Sequence, residues 1–273
     1  MSIFFKVFVT FKKDLYIAKS YPLRFIILFT EIFFQLLVIF FISKFVGISI
    51  ENPENYVFNN FFGYFLIGIF ILDFSNTIIS YSALQIEEYK KIGILEEIFI
   101  LPISNLSIFL YSFSFPIFLA ITKMIIYFFI LYLGIDSIGN FSLQSFLFFV
   151  VTIMLSIIIF SGISLIACSI TILFFRGSWV SIFHNMISIF LGGVFYPPQI
   201  ITENLTLIYH FIPIFNILEA LRSLFSIKDI SFFSMNEIFF NLSLQAIFFL
   251  ILGVKLLDFS IKKSMMNGKI SHY

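Results

Sequence analysis

Six long apolar stretches constrain this chain more than any other feature. They run over 23–47, 57–83, 106–134, 146–175, 179–196 and 238–257 and hold between 18 and 30 residues each. A helix needs about 20 mainly apolar residues to cross about 30 Å of hydrocarbon. Lipid is the expected solvent: 60% of the 273 residues are hydrophobic and 11% charged, too few for the surface of a water-soluble domain this size. The pattern predicts an all-α integral membrane protein with six transmembrane helices, forming a single transmembrane domain over 1–273. The run at 23–47 is too long for a signal-peptide core, so the first span is expected to be a retained anchor.

Basic residues orient the spans. Lys6, Lys12, Lys13, Lys19, Arg24, Lys90, Lys91, Arg176, Lys255, Lys262, Lys263 and Lys269 all fall on one side of the six-span plan. On the other side, 48–56 and 135–145 carry none, and 197–237 only Arg222 and Lys228. Both termini are therefore predicted to be cytoplasmic, in a multi-pass protein of the cytoplasmic (inner) membrane. A net charge of +1 argues against a nucleic-acid partner. Cys168 stands alone, which excludes an internal disulfide and a cysteine metal site.

Residues 1–22 precede the first span. Phe4, Phe8, Phe11, Leu15 and Ala18 recur at the spacing of one helical stripe, with the lysines mostly off it. That pattern predicts an amphipathic helix lying in the membrane interface, its lysines near anionic headgroups. A plain juxtamembrane basic segment would explain the lysines but not the stripe.

The segment 85–104 concentrates charge: Glu87, Glu88, Lys90, Lys91, Glu96 and Glu97 fall within eleven positions. Ile86, Tyr89 and Ile92 recur every three residues before Gly93, and Ile94, Leu95, Ile98 and Leu101 follow a helical face after it. This reads as two short amphipathic helices hinged at Gly93 and stopped at Pro102, with a greasy face and a mixed-charge face suited to a soluble partner. A solvated loop would need no such periodicity.

The fifth apolar stretch ends abruptly in LGGVFYPPQ. Pro197 and Pro198 cannot donate backbone hydrogen bonds, and Gly192 and Gly193 permit bending; non-helical backbone at membrane depth must be buried in protein or line a wet cavity. Residues 197–233 are thus expected to form an outer-leaflet segment, either re-entrant helices bent at Pro213 or an external loop resting on the membrane. Glu219 and Arg222, three apart, are positioned to pair on one helix.

Ionisable groups inside spans are functional candidates by default. Asp73 and Lys123 lie near the centres of the second and third spans. They are expected to form a buried pair, or to line a polar path for substrate; Glu31, in the first span, is the alternative partner for Lys123. His184 is expected to be a satisfied interfacial residue, and Lys44 to snorkel outward. Ser161, Ser164, Cys168 and Thr171 share one small-residue face of the fourth span, suited to close helix packing.

Two stretches carry a resemblance. KKIGILEEIFILPIS, residues 90–104, resembles the cytoplasmic signature of ABC-2 type transporter permeases: basic residues, Gly-Thr-Leu-Glu, apolar residues, then Ser/Thr-Pro. Gly93, Leu95, Glu96, Pro102 and Ser104 match, while Ile94 replaces the usual Thr and Leu101 the usual Ser or Thr. LGGVFYPPQIITENLTLIYHFIPIFNILEALR, residues 191–222, is similar to the late outer segment of that family through Gly192, Gly193, Phe195, Pro197, Pro213, Glu219, Ala220 and Arg222. The resemblance implies a non-catalytic permease subunit of an exporter of drugs, lipids or polysaccharides. The resemblance implies further that it pairs with a second copy or a sister permease, and that separate ATPase subunits bind ATP and Mg. It also implies that Glu87, Glu88, Lys90, Lys91, Gly93, Leu95, Glu96, Glu97 and Pro102 form the ATPase-coupling segment. Gly192, Gly193, Pro197, Pro198, Pro213, Glu219 and Arg222 would form the outer gate.

No cofactor is expected in the chain itself. A phosphate-binding loop needs GxxxxGK[ST], and the nearest stretch, NGKIS at 267–271, has Ile270 in the hydroxyl position and lacks the upstream glycine. Two other classes fit the sequence less well. A secondary transporter without an ATPase usually carries an internal repeat, and the two halves of this chain do not match. A membrane-embedded enzyme needs clustered catalytic groups, and His184, His210 and His272 are scattered.

Overall fold

In lipid a chain must satisfy its backbone hydrogen bonds internally, and the apolar stretches here do so as helices. The computed structural model describes residues 3–49, 61–100, 105–134, 143–174, 177–196, 206–224 and 232–266. These form α1 (Ile3–Ser20), α2 (Pro22–Ser49), α3 (Phe61–Ile92), α4 (Leu95–Ile100), α5 (Asn105–Ser112) and α6 (Ser114–Gly134). They continue as α7 (Leu143–Phe174), α8 (Ser178–Phe190), α9 (Thr206–Phe211), α10 (Pro213–Leu224) and α11 (Phe232–Met266). No strand occurs among the described residues.

Local sequence sets most of the boundaries. Pro22 opens α2, where its missing N–H is no loss. Pro116 separates α5 from α6 by removing the donor that would bond the Ser112 carbonyl, so the expected third span is two abutting helices. Gly93, at φ 81°, ends α3.

Among the described residues, five helices are long and apolar enough to cross a membrane: α2, α3, α6, α7 and α11. The fifth expected span, 179–196, is instead α8, a 13-residue helix followed by a turn. At 1.5 Å per residue α8 reaches about 20 Å, well short of the hydrocarbon thickness. Apolar content alone suggested a span; Gly193, at φ 77°, takes the chain out of helical geometry before it is complete.

Helix α3 is the hub. Its apolar window is 78% buried inside the protein, against 11% for α2. It packs on α2, α6, α7, α8 and α10. Helix α2 attaches through Ile32 and Ile39, seven residues apart, while Phe29, Phe33, Phe34, Phe41 and Phe45 face outward. The most extensive helix pair is α7 with α11. A Cβ on Gly162 would lie 2.6 Å from the Phe249 backbone, and one on Gly253 would lie 2.5 Å from the Gly162 carbonyl. Two glycines therefore let these backbones touch.

The packing sorts the molecule into two ends. At one end, Lys13 of α1 bonds Tyr89 of α3, and Lys90 bonds the Ile172 carbonyl of α7. There Leu95 and Phe99 of α4 cluster with Cys168 and Ile172 of α7 and with Leu257 and Ile261 of α11. At the other end, Arg222 of α10 meets Tyr64 near the start of α3 and the turn after α8. The basic residues of α1, of the end of α3 and of the end of α11 thus share one end, as the charge pattern anticipates.

Overpacking a tight contact costs about 1–3 kcal/mol. Gly162→Leu and Gly253→Leu are each expected to lower the thermal unfolding midpoint of the detergent-solubilised protein, followed by circular dichroism. Ser161→Ala, at a half-buried position on the same helix, is expected to leave it unchanged.

Candidate functional site

Three groups of residues carry the chemistry. The first lies where α3 ends. Gly93 N–H bonds the Lys90 carbonyl at 3.2 Å and Ile94 N–H bonds the Tyr89 carbonyl at 3.0 Å, a Schellman cap around a left-handed glycine. Residues 86–92 are therefore the last turns of α3 rather than a separate helix, and Gly93 forms its C-terminal cap. Periodicity alone could not distinguish these, because the same stripe continues a longer helix.

Around this corner the predicted coupling residues divide. Leu95 is buried in the cluster with α7 and α11. Lys90 is 3% exposed and donates to the Ile172 carbonyl at 2.7 Å. It therefore does not belong to an outward mixed-charge face. It satisfies a last-turn carbonyl of α7, where a cation also complements the helix dipole. Glu87 and Lys91 form an i,i+4 ion pair at 2.9 Å. Glu88, Glu96 and Glu97 are exposed, as are Ile92, Ile94 and Ile100. Pro102 and Ser104 lie outside the described residues.

Helix α1 braces the corner. Lys13 donates to the Tyr89 hydroxyl at 2.9 Å and pairs with Asp14 at 3.2 Å. Thr10 bonds the Tyr111 carbonyl at 3.2 Å, and Phe11 packs its ring against Phe115 and Phe118. The protein-facing side of α1 holds Thr10, Phe11, Asp14 and Ala18, while Phe8 and Leu15 of the predicted stripe are exposed. The apolar stripe is thus divided between protein and the outside.

The second group lies within the bundle. Lys123 of α6 donates to Asp73 Oδ1 of α3 at 2.8 Å and to Thr77 at 3.3 Å. Glu31 of α2 approaches Lys123 at 3.7 Å. The Tyr127 hydroxyl donates to Gln35 of α2 and lies 3.4 Å from Asp73 Oδ2. Both sequence alternatives hold together: Lys123 pairs with Asp73 closely and with Glu31 more distantly. Thr77 and Tyr127, each one turn along the helix from its charged neighbour, were missed by the sequence reading, although that i,i+4 spacing was the available signal. His184 contacts Ser75 Oγ at 3.1 Å and sets its ring edge-on to Phe160, so it packs against α3 and α7. Exposed Lys44 lies over the Phe40 ring at 4.8 Å. Ser164, Cys168 and Thr171 are fully buried, and Ser164 bonds the Ile78 carbonyl of α3 at 3.2 Å.

The third group is the break after α8. Arg222 is 7% exposed and donates to the carbonyls of Gly193 at 2.7 Å, Val194 at 3.1 Å and Tyr64 at 3.2 Å. Its guanidinium lies 3.5 Å from the centre of the Tyr64 ring, and the Tyr64 hydroxyl bonds the Gly193 carbonyl at 3.2 Å. A Cβ on Gly68 would sit 2.2 Å from the Val194 carbonyl, and one on Gly192 would sit 2.3 Å from Ile214. Gly68 and Tyr64 were invisible as partners in sequence because they lie about 130 positions before Gly193 and Val194.

Burial pushes the Arg222 guanidinium down to about 10, which leaves it charged at neutral pH. The expected Glu219–Arg222 pair does not form: Arg222 is taken by freed carbonyls, and Glu219 Oε2 is buried without a hydrogen-bond partner among the described residues. Burial raises the Glu219 carboxyl above its usual range. Pro213 follows a break at Ile212, where the His210 carbonyl accepts from Asn216 at 2.8 Å and from Gln245 of α11 at 2.7 Å. Pro197 and Pro198 lie outside the described residues.

The match to the family model named ABC-2 type transporter covers residues 8–226. The chain belongs to the ABC-2 type transporter family. No curated protein matches it. The match spans all three groups, from the protein-facing side of α1 to Arg222. With five apolar helices long enough to cross lipid, this ABC-2 type chain is a multi-pass membrane protein of the transport-subunit kind.

Leaving one member of a buried pair without its partner costs about 3–5 kcal/mol. Lys123→Met is therefore expected to destabilise strongly, and Asp73→Asn in the same chain to recover most of the loss. A double-mutant cycle in detergent measures this. Arg222→Gln frees three carbonyl contacts at once and is expected to lower stability more than Glu219→Gln, read by the same unfolding assay.

Proposed function

We propose that this chain is the permease subunit of an ATP-binding-cassette exporter of the cytoplasmic membrane. It forms the translocation pathway together with a second copy or a sister permease. A separate ATPase subunit binds ATP and Mg, and hydrolysis there is coupled to export through the segment following α3. The observation that carries the reading is the corner at Gly93, within the span of the family match. On one side it is rooted through Leu95 and Phe99 among α5, α7 and α11. On the other it presents charged and apolar side chains outward.

That arrangement suits a lever. A force on α4 passes through Leu95 and Phe99 into the ends of α7 and α11, and the Schellman cap keeps α4 and α3 at a fixed angle. The hydrogen bond from Lys13 to Tyr89 holds α1 against the same corner, so the interfacial helix moves with it. At the opposite end, Arg222 ties α10 and the turn after α8 to α3, which gives α3 a role in linking the two faces of the membrane.

The test is mass spectrometry of proteins crosslinked to and co-purified with the tagged chain from its native membrane. A P-loop ATPase is expected with wild type and is expected to be lost with Gly93→Val. That variant places a β-branched residue at positive φ in a position where a Cβ meets nothing within 4 Å, so its strain is confined to the cap. Failure to recover any P-loop ATPase with wild type would reject the exporter reading in favour of a secondary transporter.

A further inference from the structure

We propose that Glu31 and the apolar surface around it bind organic cations, and that amphipathic cations are the class of substrate exported. This rests on the exporter reading and adds the chemistry of the cargo. Glu31 lies within the apolar window Ile26–Phe45 of α2, five residues from its start, at a depth of about 7.5 Å. Its side chain is 44% exposed, whereas those of Asp73 and Lys123 are 4% and 9% exposed. Glu31 is thus turned away from the bundle. A charged group inside a span ordinarily faces the bundle interior or a water-filled cavity, because hydrocarbon solvates it poorly. This stretch of the α2 surface therefore faces a wet path rather than acyl chains.

Charge fixes the sign of the ligand. Asp73 lies 2.8 Å from Lys123 and Glu31 lies 3.7 Å from it, so two carboxylates share one ammonium. One negative charge is left over, on the exposed side. Thr77, Gln35 and Tyr127 extend the network without adding charge. A second copy related by an axis along the membrane normal sets its own Glu31 at the same depth, which adds charge of the same sign. Phosphate or carboxylate cargo is repelled by this surface, and an ammonium or phosphonium is drawn to it. The neighbours decide between a metal ion and an organic cation. A hard metal ion takes about six oxygen ligands. One turn to either side of Glu31 the exposed side chains are instead Ile27 and Phe34, with Val38 a turn further on. That surface offers too few oxygens to replace a metal's water, but it covers apolar substituents, and an aromatic face attracts an onium group.

The experiment uses the full chain in nanodiscs of zwitterionic lipid, with tetraphenylphosphonium as the probe and tetraphenylborate as an anion of matching shape. Equilibrium dialysis is expected to show saturable binding of the phosphonium and none of the borate. Glu31→Gln is expected to weaken phosphonium binding about tenfold or more, and Glu31→Lys to turn the preference toward the borate. Asp258→Asn removes an exposed carboxylate of α11 and is expected to leave binding unchanged. An unchanged elution volume in size exclusion verifies the fold of each variant. In the complex with the co-purified ATPase, the phosphonium is expected to stimulate ATP hydrolysis with wild type and not with Glu31→Gln.

A nitroxide on Ile27→Cys reports what the face touches, since the native Cys168 is fully buried. Relaxation by a water-soluble nickel chelate is expected. Relaxation by oxygen alone would place the face in lipid, and relaxation by neither would place it under a second copy; each would overturn the proposal. Equal phosphonium affinity in wild type and Glu31→Gln, or saturable binding of the borate to wild type, would overturn it too, while leaving the exporter reading intact. Binding without stimulation of the ATPase would overturn the assignment of the cation as cargo. Absence of any ATPase from the wild-type preparation would reject the exporter reading, and with it export as the fate of the bound cation.

Discussion

Hydrocarbon offers no hydrogen bonds, so every carbonyl released where a helix breaks must find a donor inside the protein. This chain supplies such donors from side chains at three places. Arg222 serves Gly193, Val194 and Tyr64 where α8 stops. Lys90 serves Ile172 near the end of α7. Asn216 and Gln245 serve His210 where Pro213 interrupts the helix. The architecture leans on these ties, because those of Arg222, Lys90 and Gln245 join segments that the sequence keeps 28 to 158 positions apart.

The two charged ties also define the ends of the molecule. Helix α3 meets Arg222 near its first turn and carries Lys90 in its last, so it contacts the break after α8 and the corner at Gly93 along one helix. Around it the packing is uneven. Helices α7 and α11 meet backbone to backbone at Gly162 and Gly253, whereas α2 attaches through a narrow seam and leaves most of its aromatic surface outward. Lys123 adds a polar link across α2, α3 and α6 in an otherwise apolar layer. A pair of this kind adds little net stability over an apolar contact, yet losing one partner is costly, so it acts chiefly to fix which helices meet.

Electrostatics then separates surfaces that composition treats alike. The corner at Gly93 and helix α1 both combine charge with exposed apolar side chains, and both lie at the same end. Of their lysines, Lys90 is spent on an internal carbonyl while Lys12 and Lys19 stay exposed.

By itself the sequence determined the solvent, the helical class, the positions of five spans, the two breaks at Gly93 and Gly193 and the clustering of basic residues at one end. Each of these is local: hydropathy over about 20 residues, a missing proline N–H or a left-handed glycine is written within a short window. Tertiary structure alone decided that Lys90 faces inward and that Arg222 abandons Glu219 for three carbonyls. It also decided that Lys123 serves Asp73 before Glu31. Those outcomes depend on which acceptors other segments bring within hydrogen-bond reach. For Arg222 and Tyr64 that partner lies 158 positions away, beyond the reach of any periodicity.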